Sequence, residues 1–268
     1  MEQQLLNILN PDNTARQNAL KEVERLSSER PDEYAMSLCN FLLTSDSSNP
    51  NLEMQKRQLR EVSSLVLHKN LLSNDKNFSR ISGKTLENIS QLILQGVDKD
   101  GQTMSWGLLK RSAEILVEIS VNCGKNDALF QQIQIFHNDV LTNRCNGKGF
   151  VSLAKFGLYC LELLCEYGSD TGFVSQHSGQ FLALFENSFT ANNNEIKSFC
   201  TGPICMFLVG EGSNKSGVDL QNLLKGLVEV LIMSVKGNLF IFKYFYIYYY
   251  FLYKITMSQI LTIRRRRR

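Results

Sequence analysis

Proline is scarce in this chain of 268 residues, which has only Pro11, Pro31, Pro50 and Pro203. Because proline ends or kinks a helix, the long segments without it are free to form long helices. The alternation of apolar and polar residues that marks half-buried strands is also missing before residue 237. These two absences exclude a β-rich domain and predict an all-α fold.

The chain also lacks an excess of charge of either sign. Its formal net charge is +3, but five of its 29 Lys and Arg residues form the terminal run 264–268. The remaining 24 basic residues face 26 acidic ones, a balance that gives no electrostatic attraction for a phosphate backbone. We therefore expect no direct nucleic-acid partner.

Cysteines are few, and their number and spacing do not indicate a set of disulfide bonds. There are seven, an odd number, and the opening MEQQLLNILN has no signal-peptide pattern, which predicts reduced thiols in the cytosol or nucleus. Cys160 and Cys165 are five residues apart, as are Cys200 and Cys205, whereas structural zinc sites typically place about two to four residues between paired ligands. We predict buried thiols at these four positions and no metal site.

Motifs for catalysis or cofactor binding are also lacking. The segment GEGSNKSG does not have the residue order of a phosphate-binding loop. DKDG at 98–101 continues with Thr103 and Leu109 where a calcium loop needs glycine and glutamate. The three histidines lie far apart in sequence with no serine or cysteine elbow beside them: His68, His137 and His177. We expect a protein without enzymatic activity and without a cofactor.

What the chain does have is a repeated pattern of amphipathic helices. Ten helices in five antiparallel pairs are predicted, with a short extra helix at 3–9. First helices start near 13, 51, 104, 149 and 194, and second helices span about 31–43, 78–96, 126–142, 176–190 and 218–235. The spacing of about 38 to 53 residues is close to that of helix-pair repeats. The pattern predicts an α-solenoid over residues 1–236, with an ordinary helical bundle as the alternative.

Local signals predict where individual helices begin and end. Asn13 or Thr14 is expected to cap the first long helix, and Pro31 and Pro50 are expected to open the next two. Gly96 is expected to stop the second helix of the second pair.

The helix at 56–72 carries two apolar sides. Leu59, Val62 and Val66 form one stripe with Leu65 at its edge, and Leu67 and Leu71 point elsewhere. A helix of this kind is predicted to lie between neighbours on both flanks, as in a stacked array.

Four segments resemble the N-terminal region of the importin-β (karyopherin-β) family. They are LLNILNPDNTARQNALKEVERL, YAMSLCNFLL, KRQLREVSSLVLHKNLL and SWGLLKRSAEILVEIS, within about residues 1–125. The family pattern R-x-x-A-x-x-x-L-x-x-L is matched approximately by Arg16, Ala19, Val23 and Leu26. A later pattern ending in Leu-Lys-Asn-Leu is matched by Arg57, Leu59, Leu67, Lys69, Asn70 and Leu71, with His68 as an additional residue.

This resemblance implies a fold, a function and partners. The fold would be a right-handed superhelix of HEAT or armadillo type, with residues 13–100 corresponding most clearly to the importin N-terminal domain. The function would be that of a nuclear transport receptor, or a fragment of one, present in both cytoplasm and nucleus. The implied partners are the GTP-bound Ran GTPase, the Phe-Gly repeats of nucleoporins, and protein cargo.

Acidic residues near the second helices are the candidates for contact with a basic partner surface. They are Asp32, Glu33, Glu87, Asp98 and Asp100. The alternative interpretation is that these are solvated helix ends, placed to suit the helix dipole.

The tail at 237–268 has a different composition. Ten of the 25 Phe and Tyr residues lie between 240 and 253. One interpretation is a membrane anchor at 239–263, which would make the chain a tail-anchored helical-repeat adaptor at a cytosolic membrane face, although Lys243 and Lys254 interrupt the span. The other interpretations are mistranslated intron or frameshifted sequence, and a genuine basic-aromatic segment for RNA binding or targeting.

Overall fold

A computed structural model of the protein describes residues 1–44, 50–144, 150–168 and 172–209. Every regular element among these residues is a helix, as the sequence predicts. The chain divides into two compact units, residues 1–129 and 130–268. The fifth second helix, predicted at 218–235, and the tail at 237–268 lie outside the described residues.

The helices are short or medium in length and follow one another closely. The first unit contains α1 (Glu2–Asn7), α2 (Asn13–Glu29), α3 (Pro31–Leu42), α4 (Pro50–Leu65), α5 (Asp75–Phe78), α6 (Gly83–Asp100) and α7 (Trp106–Asn122). Then come α8 (Asn126–Asp139), most of which belongs to the second unit, α9 (Val151–Gly168), α10 (Phe173–Gln176), α11 (Ser178–Thr190) and α12 (Asn194–Val209). Two π-helical segments extend α4 and α8: Val66–Leu72 and Val140–Arg144.

The first helices of the predicted pairs begin within two residues of the predicted positions. They start at Asn13, Pro50, Trp106, Val151 and Asn194. The agreement follows from local chemistry, because proline suits the first turn of a helix and polar side chains cap it. Ser105, for example, accepts the backbone N–H of Leu108 at 3.3 Å and caps α7.

Two predicted helix ends were wrong. The cap of α2 is Asp12, whose Oδ1 accepts the N–H of Thr14 at 2.9 Å, rather than Asn13 or Thr14 itself. Gly96 does not stop α6, which starts later than predicted and continues to Asp100. A Cβ at Gly96 would come within 2.5 Å of Cδ2 of Leu43, so this glycine permits α6 to approach the end of α3.

In the first unit, the second helices of adjacent pairs lie side by side and run in the same direction. Ser82 donates its backbone N–H to Oδ1 of Asp32 at 2.7 Å, where α6 and α3 both begin. Gly96 meets Leu43 where both helices approach their ends. Because the two contacts occur in the same order along both helices, α3 and α6 are parallel.

The first helices α4 and α7 of that unit are also parallel. Arg60, in the middle of α4, lines the same cavity as Ser105, which precedes α7. Further along both helices, Nδ1 of His68 lies 2.9 Å from Nη1 of Arg111. First helices therefore pack on first helices, and second helices pack on second helices. Each contact joins residues of adjacent helix pairs.

The second unit repeats this arrangement. Along α9 and α12, Lys155 pairs with Glu195, and Glu162 lies against Gly202 about two turns later. Along α8 and α11, the rings of Phe130 and Phe181 stack with centroids 4.5 Å apart. Seven residues later on both helices, Nε2 of His137 lies 2.8 Å from Oγ of Ser188.

The charged-to-apolar helix at 56–72 packs on more than one side, as predicted. Leu59, Val62 and Val66 are buried, and so is Leu67 on the other side. Leu65, expected at the stripe's edge, is 48% exposed. Helix α4 contacts α1, α3 and α7, so its apolar sides are covered by different neighbours.

Candidate partner-binding surface

The acidic residues predicted to meet a partner lie on α3 and α6 of the first unit. At the start of α3, Asp32 is half-buried and its carboxylate accepts the N–H of Ser82. It therefore orients the start of α6. The neighbouring Glu33 is 74% exposed at its side chain, with Arg30 at 3.5 Å, and remains accessible to a partner.

Two acidic residues share one face of α6. Glu87 and Asp98 are both exposed and are separated by eleven residues, which is three helical turns and a rise of about 16 Å. Glu87 lies 3.7 Å from Lys125, and both side chains are more than half exposed. An exposed pair of this length contributes little to stability, about 0–1 kcal/mol. Asp100 is half-buried at the end of the helix.

The parallel packing of α3 and α6 places the five acidic residues in two groups. Asp32, Glu33 and Glu87 lie toward the start of the two helices, whereas Asp98 and Asp100 lie at the end of α6. Helix α3 carries no lysine or arginine, and α6 carries only Lys84 and Lys99. The exposed side of this layer can therefore accept basic side chains at two separated points.

A polar cluster lies where the π-helical segment meets α7. His68 is 7% exposed, and its ring lies 2.9 Å from Nη1 of Arg111 and 3.7 Å from Oε2 of Glu114. Burial, reinforced by Arg111, lowers the pKa of His68 to about 4 against the opposing effect of Glu114. A neutral imidazole can accept a hydrogen bond from the guanidinium, which positions α7 on the end of α4.

A cavity of about 360 Å³ lies between α4 and the start of α7. Arg57, Arg60 and Glu61 line it on the α4 side. Arg60 is buried and is held by Oε1 of Glu53 at 2.8 Å and by the carbonyl of Thr44 at 3.1 Å. These bonds give Arg60 a structural role in securing the end of the α3–α4 connection.

The second unit contains a buried hydrogen bond between a histidine and a serine, His137 and Ser188, that the sequence did not predict. His137 on α8 is fully buried, and the hydroxyl of Ser188 donates to the carbonyl of Leu184 at 2.9 Å. The serine oxygen therefore accepts the Nε2–H of His137, which leaves Nδ1 without a hydrogen-bond partner among the described residues. Burial lowers the pKa of His137 to about 4. The only sequence signal was a polar residue on an otherwise apolar face.

The four cysteines that occur five residues apart in sequence are free thiols and are buried, as predicted: Cys160, Cys165, Cys200 and Cys205. Burial raises the pKa of each thiol, that of Cys205 to about 11. Thiols held in this protonated state are poor nucleophiles and poor metal ligands. No cluster of three or more His, Cys, Asp or Glu side chains suited to a metal ion occurs within the described ranges.

Comparison with models of protein families gives no match, and comparison with curated proteins gives none either. Among the helices that the structure describes, none has the length and apolar character needed to cross a membrane. The proposed anchor at 239–263 lies outside the described residues.

Proposed function

We propose that the chain is the N-terminal HEAT-type region of an importin-β-like nuclear transport receptor, or a fragment of one. In this role it binds GTP-bound Ran, nucleoporin Phe-Gly repeats and protein cargo, and it works between cytoplasm and nucleus. It acts through surface shape and charge and needs no covalent chemistry.

The observation that carries this proposal is the parallel packing of like helices. In a solenoid, each helix pair contacts mainly its neighbours, first helix on first helix and second on second. The α3–α6 and α4–α7 contacts of the first unit have this order, and so do the α8–α11 and α9–α12 contacts of the second. We infer that these pairs are HEAT-type repeats and that their superhelix is right-handed.

The π-helical segment at 66–72 supports the resemblance at the point where the sequence departs from the family pattern. The family pattern ends in Leu-Lys-Asn-Leu, and here His68 is one residue in excess between Leu67 and Lys69. A π turn holds one more residue than an α turn, so it absorbs such an excess without rotating the residues that follow. The widened segment starts at Val66, directly before the excess residue.

The acidic residues of α3 and α6 define the expected GTPase contact. The exposed carboxylates of Glu33, Glu87 and Asp98 offer negative charge to a basic partner surface. Charges of this kind mainly raise the association rate and make binding sensitive to salt. Asp32 is expected to matter through the position of α6 rather than through direct contact.

A binding experiment with Ran tests the proposal. The recombinant chain is expected to recover Ran locked in its GTP form and not Ran locked in its GDP form. The double variant E87Q/D98N should weaken this binding by about 2-fold to 30-fold, since each exposed ion pair contributes about 0.2–1 kcal/mol.

The matched control is E24Q/E61Q. Glu24 and Glu61 are also exposed, but they lie on α2 and α4, so the same change of charge should alter binding less than about 2-fold. Equal recovery of the GTP and GDP forms would reject the proposal. Equal loss in both double variants would reject the location of the contact.

The membrane-anchored adaptor remains the alternative for residues 239–263. Carbonate extraction of membranes from cells that express the whole chain separates the two. A soluble chain is expected in the supernatant, and retention in the pellet would favour the anchor.

A further inference from the structure

A groove lined by amide side chains lies in the second unit, between the ends of α8 and α11 and the turn before α12. Its volume is about 310 Å³. The polar residues that line it are Asn138, Thr142, Asn187, Thr190, Asn192 and Asn193. The only other described lining residues are Leu141 and Ala191, so the described part of this groove carries neither a formal charge nor an aromatic ring.

The two central amides are held in register by the helices beneath them. Asn138 follows the buried His137, and Asn187 precedes the buried Ser188. The 2.8 Å bond between those buried residues fixes α8 against α11 at this level. As a result Nδ2 of Asn187 lies 3.4 Å from Oδ1 of Asn138, and the pair forms a short rung across the groove before any ligand arrives.

Part of the side-chain hydrogen-bonding capacity of the groove is unused within the described residues. The hydroxyls of Thr142 and Thr190 donate to carbonyls of their own helices. Oδ1 of Asn193 accepts two backbone N–H groups at the start of α12. In contrast, Nδ2 of Asn138, Oδ1 of Asn187 and the whole side-chain amide of Asn192 take no further bond from the described chain.

We propose that this amide groove binds an extended peptide through its main chain. A side-chain amide offers one carbonyl and two N–H groups, so it matches the alternating N–H and C=O groups of an extended peptide. A phosphate-bearing ligand would need Lys or Arg, and the described lining has none. A sugar ring would lack an aromatic face to stack on.

An exposed apolar side chain next to the groove fits the same ligand. Ile135 is 72% exposed and lies one turn before Asn138 on α8, so both are on the same side of that helix. A peptide held along the rung can place an apolar side chain on Ile135, which adds apolar burial to the main-chain bonds. The inference concerns the second unit and does not depend on Ran binding.

Selection from a displayed library of random 12-residue peptides against the full chain tests this inference. A synthetic copy of a selected peptide should bind the wild-type chain. The same peptide with alternate backbone nitrogens methylated should bind at least about 10-fold more weakly, because methylation removes main-chain donors. This comparison needs no variant of the protein.

The double variant N138A/N187A should weaken binding of the unmodified peptide by about 10-fold or more, given two or more lost hydrogen bonds. Its matched control is Q131A/Q180A, which removes two exposed amides from the same helices away from the groove and should change affinity less than about 2-fold. Both variants should keep the wild-type helical circular dichroism.

Three results would overturn the inference. The first is that no peptide is enriched that binds the free chain. The second is that backbone methylation leaves affinity unchanged. The third is that a panel of neutral oligosaccharides binds the groove while peptides do not.

Discussion

Acid should destabilise the second unit through His137. The folded state keeps this imidazole neutral, because burial lowers its pKa to about 4. In the unfolded chain the pKa returns to about 6.5. Below that pH the unfolded state takes up a proton that the folded state refuses, so the free energy of unfolding falls as the pH falls.

The size of the effect follows from the two pKa values. Stability is lost at about 1.0–1.2 kcal/mol per pH unit between about pH 6 and 4.5, and the loss levels off below the folded pKa. Between pH 7 and 4.5 the expected loss is about 2–3 kcal/mol. With a urea dependence of about 1–3 kcal/mol per molar, the unfolding midpoint of this unit should fall by about 0.7–3 M.

Buried thiols provide a probe of this unit alone. Cys160, Cys165 and Cys200 are inaccessible in the folded unit and become available when it opens. The chain is equilibrated in urea at each pH, alkylated in a short pulse at one common pH, and mapped by mass spectrometry. The pulse at constant pH removes the effect of thiolate fraction on the labelling rate.

The variant H137Q isolates the contribution of the histidine. It removes the titrating group, so its midpoint should depend less on pH than that of the wild type, while carboxylates affect both chains equally. His177 is half-exposed in the same unit, and H177Q serves as the matched control for replacing a histidine there. If H137Q and the wild type lose the same stability between pH 7 and 4.5, the assignment of a buried neutral imidazole is wrong.

Three further substitutions test the packing. R60A should cost about 2–3 kcal/mol, because it removes a buried guanidinium that bonds both the carboxylate of Glu53 and the carbonyl of Thr44. R57A removes an exposed partner of the same carboxylate and should cost less than about 0.5 kcal/mol; urea unfolding followed by Trp106 fluorescence measures both. Y34F should leave stability equal or higher by up to about 1 kcal/mol in the same assay, since the buried hydroxyl has no hydrogen-bond partner in the part of the chain that the structure describes. G157A should cost about 1–3 kcal/mol, measured by thiol labelling, because its Cβ would lie 2.8 Å from Nδ1 of His137.

Controls and contrary results differ for each substitution. Equal losses in R60A and R57A would contradict the difference in burial. A loss of more than about 1 kcal/mol in Y34F would indicate a hydrogen bond to that hydroxyl. G179A adds a methyl group where a Cβ meets nothing within 4 Å and should be neutral or stabilising by up to about 1 kcal/mol; a similar loss in G157A and G179A would rule out the histidine clash.

The helices were predictable because their signals are local. Pro31 and Pro50 open α3 and α4, and serine caps precede α6 and α7. Gly96 misled the prediction because a glycine that permits close helix packing has the same sequence signal as one that ends a helix. The distinction depends on Leu43, which is 53 residues away in sequence.

The candidate surface was only partly predictable. Residue type and helix position were enough to propose Glu33, Glu87 and Asp98, which are exposed. The use of Asp32 as a partner for the N–H of Ser82 depends on a contact across 50 residues. The His137–Ser188 bond spans 51 residues, and no single helical segment contains the information that brings such partners together.

The regular offset between parallel helices has a consequence for biosynthesis. The contacts that join like helices link residues about 40 to 53 positions apart, as in Lys155 with Glu195 and Gly96 with Leu43. A newly made hairpin therefore finds its docking surface on the hairpin that left the ribosome just before it. Such a chain can gain its packing step by step during translation, without waiting for distant sequence to be synthesised.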